Sequence, residues 1–202
     1  ISIYSELQMP RAAVGLLAHA RKHYGVEMVD ESWYEKLQHW EEALHVYERR
    51  SKEEPESMIH MLGRVRCLHR LNEWEQNLEL IGRIWNRSMF SKQYIAELAP
   101  RATAAAYHTG RWQLMQMYVE HIDPRSEDGA FYRAINAVFE GDYALALRHV
   151  ATSRARCDEE LTALVAESYT RAYSSIVRLQ QLVELEEIVE HLSSQQQPKA
   201  RE

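Results

Sequence analysis

Apolar residues recur along this 202-residue chain at spacings of three and four and rarely alternate. A period near 3.6 marks amphipathic helices, whereas a half-buried strand needs a period of two. Only 7 Gly and 5 Pro interrupt the pattern, so nearly the whole chain reads as helix and the fold class as all-α. In WYEKLQHWEEALHVYERR, residues 33–50, Trp40, Ala43 and Tyr47 share one face and charge covers the rest. Ser32 and Glu35 have the S-x-x-E spacing of a capping box, which predicts a helix start at Ser32. Pro55 suits the first turn of the next helix. Pro100 removes a backbone donor and crowds the preceding turn, which predicts a kink or break near residues 98–101. Residues 158–182 predict one long helix, with Asp158, Glu159 and Glu160 in its first turn. Its apolar stripe runs through Leu161, Leu164, Val165, Ser168, Ala172, Ile176 and Leu179.

The helices come in similar pairs. QHWEEAL (38–44) is echoed by NEWEQNL (72–78), GRWQLMQ (110–116), GDYALAL (141–147) and, more weakly, VELEEIV (183–189). Each copy predicts a short turn, then a bulky residue, then a small or apolar residue three positions on. The bulky residues are Trp40, Trp74, Trp112, Tyr143 and Leu185, spaced by 34, 38, 31 and 42. A further apolar residue follows seven after each: Tyr47, Ile81, Val119, Val150 and Leu192. PRAAVGLLAHARKH, with Ala13, Leu17 and Ala20 on one face, adds an earlier partial unit. A helix–turn–helix unit of about 34 residues with a small residue early in its second helix has the tetratricopeptide period. One such unit cannot bury its apolar face alone, so units stack. The reading is an irregular α-solenoid over residues 1–192, with 193–202 as a polar tail; an antiparallel bundle is the alternative. Trp40, Ala43, Tyr47, Trp74, Trp112, Tyr143 and Ala146 are the expected structural repeat anchors.

Charge and chemistry narrow the function. A net charge of −6 and a pI of about 6.0 argue against nucleic acid as a main partner. No apolar run reaches the roughly 18 residues that a membrane span needs, and no signal peptide is visible. Cys67 and Cys157 match no metal spacing and read as two buried, reduced thiols. His19 and His23 would share a helix face, but zinc needs further ligands that the sequence does not name. The glycines are isolated, and no phosphate-binding or kinase motif occurs. Arg64, Arg66, His69 and Arg70 form a basic stripe, read as a solvated or salt-bridged face, or else as a contact for an acidic partner. No catalytic, cofactor or metal residue is therefore expected. The start at Ile1 and the polar end suggest a piece of a longer protein.

Several unusual strings occur in order: YSELQMP (4–10), WYEKL (33–37), LGRVRCL (62–68), PRSEDGAFYRA (124–134), ELTALVAESYTRAY (160–173) and ELEEIVE (184–190). Together they resemble the FAT domain, in its N-terminal part, of the target-of-rapamycin kinases, members of the phosphatidylinositol 3-kinase-related kinase family. Residues 75–100 and the tail after Leu192 depart from the family's pattern. The resemblance implies an α-solenoid of tetratricopeptide-like helix pairs that clamps the kinase domain of the same chain. It implies a nutrient-responsive growth-control serine/threonine kinase whose ATP and Mg lie outside this segment. It further implies accessory subunits, a dimeric complex, and a cytoplasmic location with recruitment to the lysosome or vacuole surface. A free-standing peptide-binding adaptor is the rival reading.

Overall fold

The computed structural model describes residues 10–25, 30–88, 91–165 and 169–196. Among them lie ten helices and no strand. In chain order these are α1 (Pro10–Tyr24), α2 (Glu31–Lys36), α3 (Trp40–Glu53), α4 (Met58–Arg70) and α5 (Trp74–Ser88). Then follow α6 (Lys92–His108), α7 (Trp112–Val119), α8 (Glu127–Glu140), α9 (Tyr143–Val165) and α10 (Tyr169–Gln196). The chain divides into two compact units, Ile1–Tyr94 and Ile95–Glu202.

Within each unit, sequential helices pack as antiparallel pairs. In the first, Glu48 of α3 meets Arg64 of α4, and Tyr47 meets Arg66. In the second, Ser153 of α9 bonds the Glu127 carbonyl of α8, while Arg154 and Glu160 of α9 meet Glu186 and Ser175 of α10. Numbers rise on one helix as they fall on its partner. This is the all-α helical-repeat architecture of an α-solenoid.

One turn is used four times. Gln38, Asn72, Gly110 and Gly141 all have positive φ, between 60° and 79°. The next residue, His39, Glu73, Arg111 or Asp142, donates its N–H to the carbonyl five residues back: Tyr34, Leu68, Ala106 or Ala137. That 6→1 bond is the mark of a Schellman ending, which satisfies an orphan carbonyl and reverses the chain. The same four residues then accept the first helical bond from Ala43, Asn77, Met115 and Ala146. All four of those donors have zero exposure. The residues four further on, Tyr47, Ile81, Val119 and Val150, are also buried.

Six local expectations are corrected. Asp30, not Ser32, caps α2: its carboxylate accepts from the Ser32 N–H at 2.8 Å, because Asp30 has the extended backbone a cap needs. Pro55 lies in the turn before α4, whose N-cap is Ser57, also extended. Pro100 does not break α6, which runs unbroken through it; Leu98, Ala99 and Ala102 are fully buried there, and that packing outweighs one lost bond. Asp158, Glu159 and Glu160 are not in a first turn, since α9 has already begun at Tyr143 behind the Gly141 turn. The expected long helix is divided between α9 and α10; Ser168 lies outside the described residues. VELEEIV follows no turn: it sits inside α10, with Leu185 buried but no left-handed residue before it.

Candidate functional site

Two polar ties hold helices together, and each is built from the unusual strings. In the first unit, WYEKL supplies Tyr34, 1% exposed, and Glu35. LGRVRCL supplies Gly63, Arg66 and Cys67. Arg66 Nε donates to Glu35 Oε2 at 2.9 Å and Nη2 to Oε1 at 2.8 Å. This bidentate geometry is the strong, directional form of an ion pair. The Tyr47 hydroxyl donates to the same carboxylate and accepts from Arg66 at 3.2 Å. A Cβ at position 63 would run into the Tyr47 ring, so glycine lets α3 and α4 approach. Burial and the Glu35 charge push the Tyr47 hydroxyl well above its ordinary range and the Cys67 thiol up to about 12. Neither is a nucleophile at neutral pH.

In the second unit, PRSEDGAFYRA is used residue by residue. Ser126 caps α8 by accepting from the Gly129 N–H at 3.1 Å. Glu127 and Asp128 receive Arg178 of α10 at 2.9 and 2.7 Å. A Cβ at Gly129 would meet the Asp123 carbonyl. Phe131 and Tyr132 are buried beneath Arg178, whose guanidinium stands 3.9 Å from the Phe131 centroid, a cation–π contact. Arg133 donates to the Val119 and Ile122 carbonyls at the end of α7, at 2.7 and 2.9 Å. Burial raises the Glu127 carboxyl above its usual range, against the pull of Arg178. Ser153, Cys157 and Ser175 are buried nearby; burial, with the Glu127 charge, raises the Cys157 thiol to about 12.

The repeat residues take two kinds of place. Ala43, Tyr47 and Ala146 are buried. Trp40, Trp74 and Tyr143 are half-buried, and Trp112 is 39% exposed. Trp40 lies under Arg70 at 5.7 Å, Trp74 against His69 at 5.3 Å, and Trp112 against Phe139 at 4.3 Å. Tyr143 packs on Ala137, Ala146 and Val189. The basic stripe on α4 is engaged by its own unit: Arg64 with Glu48, Arg66 with Glu35, Arg70 with Trp40 and His69 with Trp74. His19 and His23 do meet, at 4.2 Å between centroids. Among the described residues, no three His, Cys, Asp or Glu come together to hold a metal ion, and no helix is long and apolar enough to cross a membrane. Sequence reasoning took Glu35 only as half of a capping box and did not single out Gly63, Gly129 or Arg178. For the two glycines the signal was present in LGRVRCL and PRSEDGAFYRA, each of which joins charges to a glycine and large apolar residues, whereas Arg178 lies in none of the strings.

The family model of the FAT domain matches residues 99–202, just over half of the chain. This chain belongs to the FAT domain family. The FAT segment is 37% identical over 196 residues to the serine/threonine-protein kinase tor1 of Schizosaccharomyces pombe, covering 97% of this chain and 8% of that protein. It is 37% identical over 191 residues to the kinase mTor of Drosophila melanogaster, and 36% over 191 residues to the kinase TOR2 of Saccharomyces cerevisiae. Each of those matches covers 95% of this chain and 8% of the relative. The FAT segment thus spans about a twelfth of the length of the curated relatives it matches.

Proposed function

We propose that this FAT segment is a non-catalytic scaffold of a target-of-rapamycin-type serine/threonine kinase. Stacked helix pairs clamp the kinase domain of the same polypeptide and support assembly with accessory subunits in a dimeric complex. The observation that carries the reading is the use of the family's strings in packing. WYEKL meets LGRVRCL at the Arg66–Glu35 pair, and DGAFYRA seats Arg178. A mechanical role selects such residues, and a binding groove would leave them facing solvent. Trp40, Trp74, Trp112 and Tyr143, with Ala43, Tyr47 and Ala146, act as the anchors of the stack. The ATP and Mg of such a kinase belong to a catalytic domain outside this segment, as the resemblance implies. The location that follows is cytoplasmic, with recruitment to the lysosome or vacuole surface.

An antibody against WYEKLQHWEEALHVY, used on a lysate of the source cell, tests this. The expected band is far larger than 23.7 kDa, with protein kinase activity in the immunoprecipitate. A band near 23.7 kDa overturns the reading and favours a free-standing adaptor.

A further inference from the structure

Most of PRSEDGAFYRA caps or packs α8, but Arg125 faces solvent. It lines a groove of about 550 Å³ with Ala151, Thr152, Ala155, Arg156 and Glu159 of α9. The loop that carries Arg125 is tied to α9 twice. Ser153 Oγ donates to the Glu127 carbonyl and Arg156 Nε to the Arg125 carbonyl, both at 3.1 Å. The Arg125 N–H in turn donates to Asp123 Oδ1 at 2.9 Å. The Arg156 guanidinium is thereby held against the Arg125 backbone. At 100° per residue, exposed Arg148 shares this face of α9, opposite buried Val150 and Cys157.

These three arginines outnumber Glu159, so the groove is positive in a chain of net charge −6. Among the described residues, no hydrogen bond or ion pair engages the Arg125 guanidinium. Arg156 gives Nη1 to Glu159 at 2.6 Å, and the two side chains are 47% and 68% exposed. Solvent makes such a pair weak, so a stronger anion displaces the carboxylate. Exposed Ala151 and Ala155 form a low floor on which an extended backbone can lie.

We propose that this groove binds a phosphoserine- or phosphothreonine-bearing segment of a partner protein, its phosphate held between Arg125 and Arg156. A phosphate dianion has three acceptor oxygens for two guanidinium forks, whereas a single carboxylate is served by one. Nucleic acid is the poorer occupant, because the lining offers no aromatic face for a base. The groove lies wholly within the second unit, so it stands whether or not the chain is a kinase segment.

The native polypeptide containing this chain, immobilised, is offered a degenerate peptide library with one fixed phosphoserine, and the same library unphosphorylated. The expected result is at least about tenfold preferential capture of phosphopeptides, the scale of charge-assisted bonds. Arg125→Gln should abolish the preference while keeping the carbonyl that Arg156 bonds, and Arg156→Gln should abolish it too. Arg125→Lys should keep part of it, since the charge remains without the fork. Arg83→Gln, at an exposed site on α5, should leave it unchanged. Equal capture of both libraries overturns the proposal, as does a preference that survives Arg125→Gln and Arg156→Gln together. Equal capture of Asp-rich peptides, or displacement by an oligonucleotide of the same charge, also overturns it.

Discussion

Arg66 on α4 and Glu35 on α2 share two hydrogen bonds across 31 residues of chain, at 2.8 and 2.9 Å. Their side chains are 28% and 16% exposed, so the pair is part-buried and solvent screening reduces its worth. Removing Arg66 leaves the Glu35 carboxylate and the Tyr47 hydroxyl without their shared partner. Arg66→Met should cost about 2–3 kcal/mol in urea unfolding of the 202-residue chain. Arg66→Met combined with Glu35→Leu should recover part of that loss. A double variant as unstable as the sum of the singles would show that the two residues do not act as a pair.

Gln38 occupies the left-handed conformation that Gly110 and Gly141 hold in later repeats. A side chain there costs roughly 1–2 kcal/mol that glycine avoids. Gln38→Gly should raise the unfolding free energy by about 1 kcal/mol, part of the gain being offset by unfolded-chain entropy. Gly110→Ala should lower it by about 1 kcal/mol. Opposite signs in paired thermal melts are the outcome to look for.

Gly63 and Gly82 both lie inside helices, where alanine is intrinsically better by about 1 kcal/mol. A Cβ at Gly63 meets the Tyr47 ring, whereas one at Gly82 meets nothing within 4 Å. Gly82→Ala should therefore stabilise by about that amount. Gly63→Ala should destabilise by about 1–3 kcal/mol through overpacking. Equal melting shifts for the two would disprove the close approach of α3 and α4.

Met115 and Trp112 sit three apart on α7, the first with zero exposure and the second 39% exposed. Met115→Ala should cost about 2–5 kcal/mol as a core truncation. Trp112→Ala loses mainly its ring contact with Phe139 and should cost about 1 kcal/mol. Denaturant midpoints rank the two. The reverse order would make the bulky residue the dominant packing element.

His149 is half-buried, and burial, aided by Arg133 and Arg148, holds its imidazole below the ordinary value. Between that lowered value and the unfolded one near 6.5, the folded chain binds fewer protons than the unfolded chain. Stability is therefore complete above about pH 6.5 and falls as the pH drops toward the folded value. Replacing His149 with Gln should flatten this acid-side slope in melts taken from pH 7.5 to 5.5. An unchanged slope would assign the acid sensitivity to other groups.

The helices and the repeat were legible in the sequence, because a 3.6-residue apolar period depends only on which face must leave water. The buried slots three and seven after Trp40, Trp74, Trp112 and Tyr143 followed from the same period, although polar Asn77 fills one of them and the Leu185 copy leaves Ile188 49% exposed. So did the turns, once Gln38, Asn72, Gly110 and Gly141 are seen in equivalent places. Sequence alone misjudged what depends on distant neighbours. Glu35 reads as half of a capping box, yet its carboxylate turns to Arg66, brought within reach only when α2 and α4 pack. Pro100 reads as a kink or a break, yet with buried neighbours α6 is not broken there. Residues 158–182 read as one helix beginning at Asp158, but α9 had begun at Tyr143. VELEEIV echoes a repeat without having its turn. Local periodicity determines which faces are apolar, while partners for charges, and the burial of a bulky residue, depend on helices far away in sequence. Only the tertiary structure could set Arg178 over Phe131 and leave Trp112 at a rim.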